Sequence, residues 1–141
     1  MIFIEVEELK VRKVQSLIDS ISDDTNSFVD SLERMAIEEV SSYLTNLYDT
    51  EFTFNRTGTQ RNYLIVRTVL DFMIYFLYER VNSNEMPESI KDRYKENKEY
   101  LTKVSEGKIV LNLPKLDPTA DAQPFMSVKS ISKFNDLEYY G

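Results

Sequence analysis

The segment between Thr59 and residue 82 constrains the fold most, because it places apolar side chains on nearly every face of a helix. A helix that is apolar all round is buried on most of its sides. Thr59 is a suitable N-cap, and we predict a buried central helix over 59–82. Arg67 and Asp71 interrupt it, so no clean stretch of about 18 apolar residues exists and a membrane span is disfavoured. The apolar residues are Tyr63, Leu64, Ile65, Val66, Val69, Leu70, Phe72, Met73, Ile74, Tyr75, Phe76, Leu77, Tyr78 and Val81.

Arg67 and Asp71 are four residues apart, so their side chains can meet on one face of this helix. Within so apolar a segment each charge needs a partner. We predict that Arg67 and Asp71 are structural and form an ion pair with each other, or else pair with nearby polar groups such as Tyr75 or Arg80. A catalytic role is the alternative, since buried charges are where functional pKa shifts arise, but no basic or metal-binding neighbour accompanies Asp71 in sequence.

Two further helices flank the central one. Apolar residues recur at helical spacing over 25–48, after several possible N-caps. A second periodic segment begins at Pro87, which suits a first helical turn, and ends at Gly107. In the first of these helices Glu33, Glu38 and Glu39 lie off the apolar stripe, which predicts a solvated acidic face.

The remaining segments of the first 116 residues are shorter. Residues 5–18 suit a short helix or two. Residues 49–58 alternate Thr and Phe, which predicts an extended connection that ends in a turn at Gly58. Residues 108–116 alternate apolar side chains, which predicts a strand that pairs with 50–55 or with another subunit. The fold class is therefore mainly α: a small helical bundle round one buried helix, with a short extended segment.

Residues 117–141 are predicted to form an extended C-terminal arm beside a helical domain of residues 1–116. The arm is too polar to build a core of its own. Its aromatic residues are spaced as separate anchors, so we expect it to dock on another chain. The predicted partner-binding residues are Phe125, Phe134, Tyr139 and Tyr140.

The chain has no Cys and no His. Disulfides, thiolate zinc sites, Cys nucleophiles and His-based acid–base sites are therefore excluded. Only three Gly are present, and no glycine-rich phosphate loop is found. Carboxylate-only magnesium nucleases and two-carboxylate glycosidases remain open in principle, but nothing pairs these acids in an apolar cleft. We expect no enzyme, no cofactor and no metal.

The net charge of −7 is unevenly distributed: −7 over residues 1–58, +2 over 59–116 and −2 over 117–141. Tight nucleic-acid binding requires clustered basic residues, so this distribution argues against it. An acidic N-terminal half could instead line a channel that repels DNA phosphates; an ordinary solvated face is the alternative. The first residues lack the basic start and long apolar run of a signal peptide, which predicts folding in a cytoplasm.

A family resemblance accompanies these features. Over roughly residues 1–113 the chain resembles the Mu-like prophage proteins that serve as head-to-tail connector or adaptor subunits. It departs from their pattern by lacking a proline soon after Tyr48 and by carrying a longer C-terminal arm. The residues that carry the resemblance are Ala36, Tyr43, Leu44, Tyr48, Asp71, Tyr75, Leu77, Pro87, Arg93, Tyr94, Tyr100, Leu101, Val104, Gly107, Lys108 and Ile109.

The resemblance implies a structural subunit of a homo-oligomeric ring, commonly a dodecamer. Such a ring lies in the virion neck between the portal protein and a tail-side protein, and is assembled in the host bacterial cytoplasm. DNA passes through it without specific binding. The competing interpretations are a cytoplasmic helical protein–protein interaction module or regulator, and an enzyme. The oligomeric state discriminates among them.

Overall fold

The computed structural model describes residues 1–12 and 25–116, and these form a mainly helical bundle. Three long helices pack against one another, namely α2 (Thr25–Leu44), α4 (Tyr63–Val81) and α5 (Glu88–Ser105). Short 3-10 turns at Gly58–Gln60 and Ser83–Glu85 lie just before and just after α4. The predicted fold class, a small bundle round one buried helix, is confirmed for this part of the chain. Its helices are α1 (Val6–Val11), α2 (Thr25–Leu44), α3 (Thr50–Phe54), α4 (Tyr63–Val81) and α5 (Glu88–Ser105).

Helix α4 is the central, most buried element, as the sequence predicts. Phe72 and Ile74 lie in the core, and burying one such side chain contributes about 1.5–3 kcal/mol. The helix begins later than predicted. Thr59 lies in the preceding 3-10 turn, and the side chain of Asn62 caps the helix by accepting hydrogen bonds from two backbone N–H groups of the first turn. No helix in the described ranges is long and apolar enough to cross a membrane.

The flanking helices follow their predicted periodicity. In the apolar stripe of α2, Ala36, Val40 and Leu44 are fully buried against the bundle, whereas Met35 is exposed. The helix ends at Leu44, a turn short of the predicted boundary at 48. Helix α5 starts directly after Pro87 and buries Leu101 and Val104.

The prediction of an extended segment over 49–58 is wrong. Asp49 accepts a hydrogen bond from the backbone N–H of Phe52 at 3.0 Å and thereby caps a short helix, α3. Within this helix Thr53 is buried, and the ring of Phe54 packs edge-on against the ring of Phe3 with 5.1 Å between the ring centroids. A side-chain cap thus overrides the period-two pattern.

Residues 108–116 do not form the predicted strand. They make one isolated antiparallel bridge, between Lys115 and Tyr48, and so pair just before the predicted partner segment 50–55. The Tyr48 hydroxyl accepts a hydrogen bond from the backbone N–H of Leu111 at 2.8 Å. This contact holds the segment that follows α5 against the end of α2.

The buried carboxylate of Glu33 contradicts the prediction of a wholly solvated acidic face on α2. Glu33 is only 5% exposed. Its two oxygens accept hydrogen bonds from the backbone N–H groups of Ile2, Phe3 and Ile4, at 2.9, 2.9 and 2.7 Å. Because this segment runs outside any helix, it needs an acceptor for its N–H groups, and Glu33 supplies one.

Arg61 holds α1 against the loop before α4. Its guanidinium is buried and donates to both carboxylate oxygens of Glu8 at 2.9 Å and to the carbonyl of Phe3 at 2.7 Å. The hydrogen bond to Glu8 raises the pKa of Arg61 despite burial. Burial alone raises the pKa of Glu8. The hydrogen bond from Arg61, the hydrogen bond from the backbone N–H of Glu5 and the attraction of Arg61 together outweigh burial and hold that pKa below its ordinary value.

Candidate functional site

The predicted partner-binding residues Phe125, Phe134, Tyr139 and Tyr140 lie in the arm, outside the described residues. Their role stays a prediction. On the surface of the bundle, charged and apolar side chains gather in three places.

Asp71 has a different partner from the one that its sequence spacing predicts. Its Oδ1 lies 2.7 Å from Nη1 of Arg12, an ion pair without hydrogen-bond alignment. Its Oδ2 accepts a hydrogen bond from Nδ2 of Asn97 at 2.9 Å. Arg67 is exposed and makes no ion pair with Asp71. The reason is geometric: Asp71 points into the crevice that α4 shares with α5 and Arg12, whereas Arg67, about one turn earlier, reaches solvent.

A pocket of about 450 Å³ surrounds this ion pair. The Arg12 charge is neutralised by Asp71, which leaves three charged side chains on the rim: Arg67, Arg93 and Glu96. All three are exposed, and none of them forms an ion pair with another described residue. We call these three residues the basic patch.

A second, shallower depression of about 490 Å³ lies between α2 and α4. It is lined by Arg34, Met35, Glu38, Glu39 and Phe76. Met35 is 46% exposed, so an apolar side chain lies among the charged residues of this depression. We call Arg34, Met35, Glu38 and Glu39 the acidic patch.

Tyr94 fixes the shape of the acidic patch. Its ring stacks on Tyr75 at 3.8 Å between centroids, and its hydroxyl donates to the carboxylate of Glu39 at 3.0 Å. Burial and that hydrogen bond raise the pKa of Tyr94, so it stays a neutral donor. Glu39 is thereby held in place, and α5 is joined to α2.

A third surface, the apolar edge, comprises Leu47 and Leu116. Each of these large apolar side chains is at least 38% exposed. Leu47 and Leu116 are neighbours, since the backbone N–H of Leu116 donates to the carbonyl of Leu47 at 3.2 Å. Such side chains gathered on one surface often mark a protein interaction site. The edge also lies where the arm begins.

The described residues hold no group of three or more metal-ligating side chains that could bind a metal ion. The two buried carboxylates, Glu33 and Asp71, are both occupied by hydrogen bonds or an ion pair within the bundle. Sequence reasoning missed the basic patch because it combines Arg67 of α4 with Arg93 and Glu96 of α5, and no local spacing signals it. The acidic patch lies on α2, where the sequence marks Glu38 and Glu39 as an acidic face, but only the structure places Phe76 of α4 beside it.

These observations define a small, mainly helical protein whose distinctive features lie on its surface. The chain belongs to the bacteriophage Mu Gp36 family: the sequence model of that family, described as "Bacteriophage Mu, Gp36", matches residues 4–130. The match spans the five helices of the described residues and extends to residue 130, within the predicted arm. The resemblance to Mu-like phage proteins is thus confirmed at the level of the family. No curated protein and no solved structure matches the chain.

Proposed function

We propose that this protein is a structural subunit of a phage head-to-tail connector ring, which bridges the portal to the tail and lets DNA pass. The observation that carries the proposal is the family match over residues 4–130. A phage protein of this kind belongs among the components that build the virion, and the neck is the position that the sequence resemblance implies.

The surface of the bundle supports a role in assembly. A closed ring of identical subunits needs a heterologous interface, in which each subunit presents two different patches. The basic patch and the acidic patch share no residue. The apolar edge offers a further surface, and the arm, which starts beside it, would enlarge the contact with a neighbouring chain or with the portal.

We further propose that the protein is not an enzyme and that DNA passes through the ring without specific binding. The excess acid of residues 1–58 disfavours adhesion of DNA phosphates. No chemistry is required of a subunit that joins two larger assemblies.

Electron microscopy of the full chain, alone and with the portal protein of the same phage, tests the proposal. We expect rings of identical subunits, twelve being the expected number, seated on the portal. Antibody labelling of intact virions should mark the neck. A chain that stays a monomer or dimer even with the portal present would contradict the proposal and favour a regulator. A magnesium-dependent nuclease activity would favour an enzyme.

A further inference from the structure

We propose that the basic patch of one copy binds the acidic patch of the next copy and so forms the contact that closes the ring. This inference rests on the proposed function and names the surfaces that carry out the assembly. It requires that the two patches match in charge, remain accessible and be distinct from each other.

The charges of the two patches are opposite in kind and equal in number. The basic patch presents two cations and one anion, Arg67, Arg93 and Glu96. The acidic patch presents two anions and one cation, namely Glu38, Glu39 and Arg34. Two copies brought together by these surfaces can therefore form three pairs of opposite charge.

Most of these groups form no ion pair within residues 1–12 and 25–116. Arg34, Glu38, Arg67, Arg93 and Glu96 are all exposed, and none makes an ion pair with another described residue. The exception is Glu39, which accepts a hydrogen bond from the hydroxyl of Tyr94 and is half-buried. By contrast, the charges inside the bundle are paired, as Arg61 is with Glu8. Five of the six charged groups on the two surfaces are therefore available to a neighbouring copy.

The acidic patch also offers an apolar contact. Met35 is 46% exposed, and Phe76 lies beside it. A flexible Met side chain among charges adapts to the surface that covers it. Isolated surface ion pairs contribute little to stability, but charges matched across an interface set its orientation and reject wrong pairings. The charges of the two patches therefore determine how the two copies are oriented in the contact.

A second copy of the chain fits the basic patch better than DNA does. Glu96 lies among the arginines and would repel a phosphate, and the third arginine, Arg12, is already neutralised by Asp71. A protein surface that carries both signs satisfies Glu96 as well. Arg34 of the neighbouring acidic patch supplies the required cation.

Charge reversal tests the contact in the full chain. Arg93→Glu or Glu38→Arg alone should weaken self-association, measured by analytical ultracentrifugation, by about tenfold or more, because each brings like charges together. The double variant, Glu38→Arg with Arg93→Glu, should recover at least half of the lost association free energy. Lys95→Glu is the matched control: it reverses an exposed charge on the same helix, outside both patches, and should leave association unchanged.

Cysteine cross-linking gives an independent measurement, since the chain has no Cys of its own. Co-expressed Met35→Cys and Arg67→Cys chains should give disulfide-linked dimers under mild oxidation, whereas either variant alone should not. A chain that carries both substitutions should give a ladder of covalent oligomers. Within-chain disulfides add no mass and so cannot mimic the ladder.

The outcomes separate this contact from the ring itself. Rings that form normally in the reversed variants, with no ladder, would overturn the contact while leaving the connector function intact. A wild-type chain that remains monomeric without cross-links, alone and with the portal, would overturn both. Salt-sensitive binding of duplex DNA that is lost in Arg93→Glu, with self-association unaffected, would assign the basic patch to nucleic acid and also overturn the contact.

Discussion

Replacing Glu33 by Ala should destabilise the protein, because three backbone N–H groups would lose their acceptor. A hydrogen bond to a charged group contributes about 1.5–3 kcal/mol. If residues 2–4 kept their folded position without Glu33, each of the three N–H groups would lose that contribution. The segment can instead detach, which exposes Phe3 and Ile4, now 1% and 2% exposed. That exposure costs about 1.5–3 kcal/mol for each side chain.

Release of the segment also returns chain entropy, about 1–2 kcal/mol per residue, and this offsets part of the loss. We therefore expect Glu33→Ala to lower the free energy of unfolding by about 2–3 kcal/mol, measured by urea denaturation with far-ultraviolet circular dichroism. Hydrogen exchange should show faster exchange of the amides of Phe3 and Ile4. Glu33→Gln, which keeps one acceptor oxygen, should fall between Glu33→Ala and the wild type.

The matched control is Glu99→Ala, which removes an exposed glutamate of α5 outside both patches. It should change stability by no more than about 0.5 kcal/mol. If Glu33→Ala proved as mild as Glu99→Ala, and the amides of residues 2–4 stayed protected, the inferred role of Glu33 in holding the segment would be refuted.

Three further predictions concern charge and assembly. Asp71→Ala should lower the free energy of unfolding by about 2 kcal/mol. This loss is smaller than for a fully buried ion pair because the side chain of Arg12 is 21% exposed. Arg67→Ala changes an exposed residue and should leave the free energy of unfolding nearly unchanged in the same denaturation assay. The pKa of Glu8 is lower in the folded state than the ordinary glutamate value of 4.5. Its pairing with Arg61 therefore stabilises the fold fully at pH values above 4.5, and this stabilisation is lost as the pH falls through the lowered pKa. The stability difference between wild type and Glu8→Gln should therefore shrink in acid, and a difference that stays constant in denaturation curves down to low pH would contradict it. Deleting residues 117–141 should leave helix content unchanged by circular dichroism yet impair assembly onto the portal; a truncated chain that assembles as well as the full chain would show that the arm is dispensable.

The sequence by itself determined the three long helices and their order. A segment that is apolar on all faces has no stable place except the centre of a bundle, so α4 could be assigned from residues 63–81 alone. The stripe of α2 and the capping residues Pro87 and Gly107 likewise act over one or two helical turns. The absence of Cys and His also limits the chemistry open to the chain, whatever fold it adopts.

Short local patterns predicted the secondary structure less well where a single hydrogen bond determined it. The alternation over 49–58 favoured an extended segment, but the side chain of Asp49 caps a helix there. Residues 108–116 alternate as a strand would, yet only Lys115 forms a bridge in the described chain. A strand needs a partner along its length, and periodicity alone does not supply one.

Only the tertiary structure decided how the charges are paired. Sequence spacing can identify neighbours three or four residues apart on one helix, which is why Arg67 was the natural partner for Asp71. Packing instead brought Arg12 to Asp71, the amides of residues 2–4 to Glu33, and Arg61 to Glu8. The residues of the acidic patch all lie on α2, so their helical spacing places them together. The basic patch arises from packing instead, because it combines Arg67 of α4 with Arg93 and Glu96 of α5, and no periodicity along the chain encodes that contact.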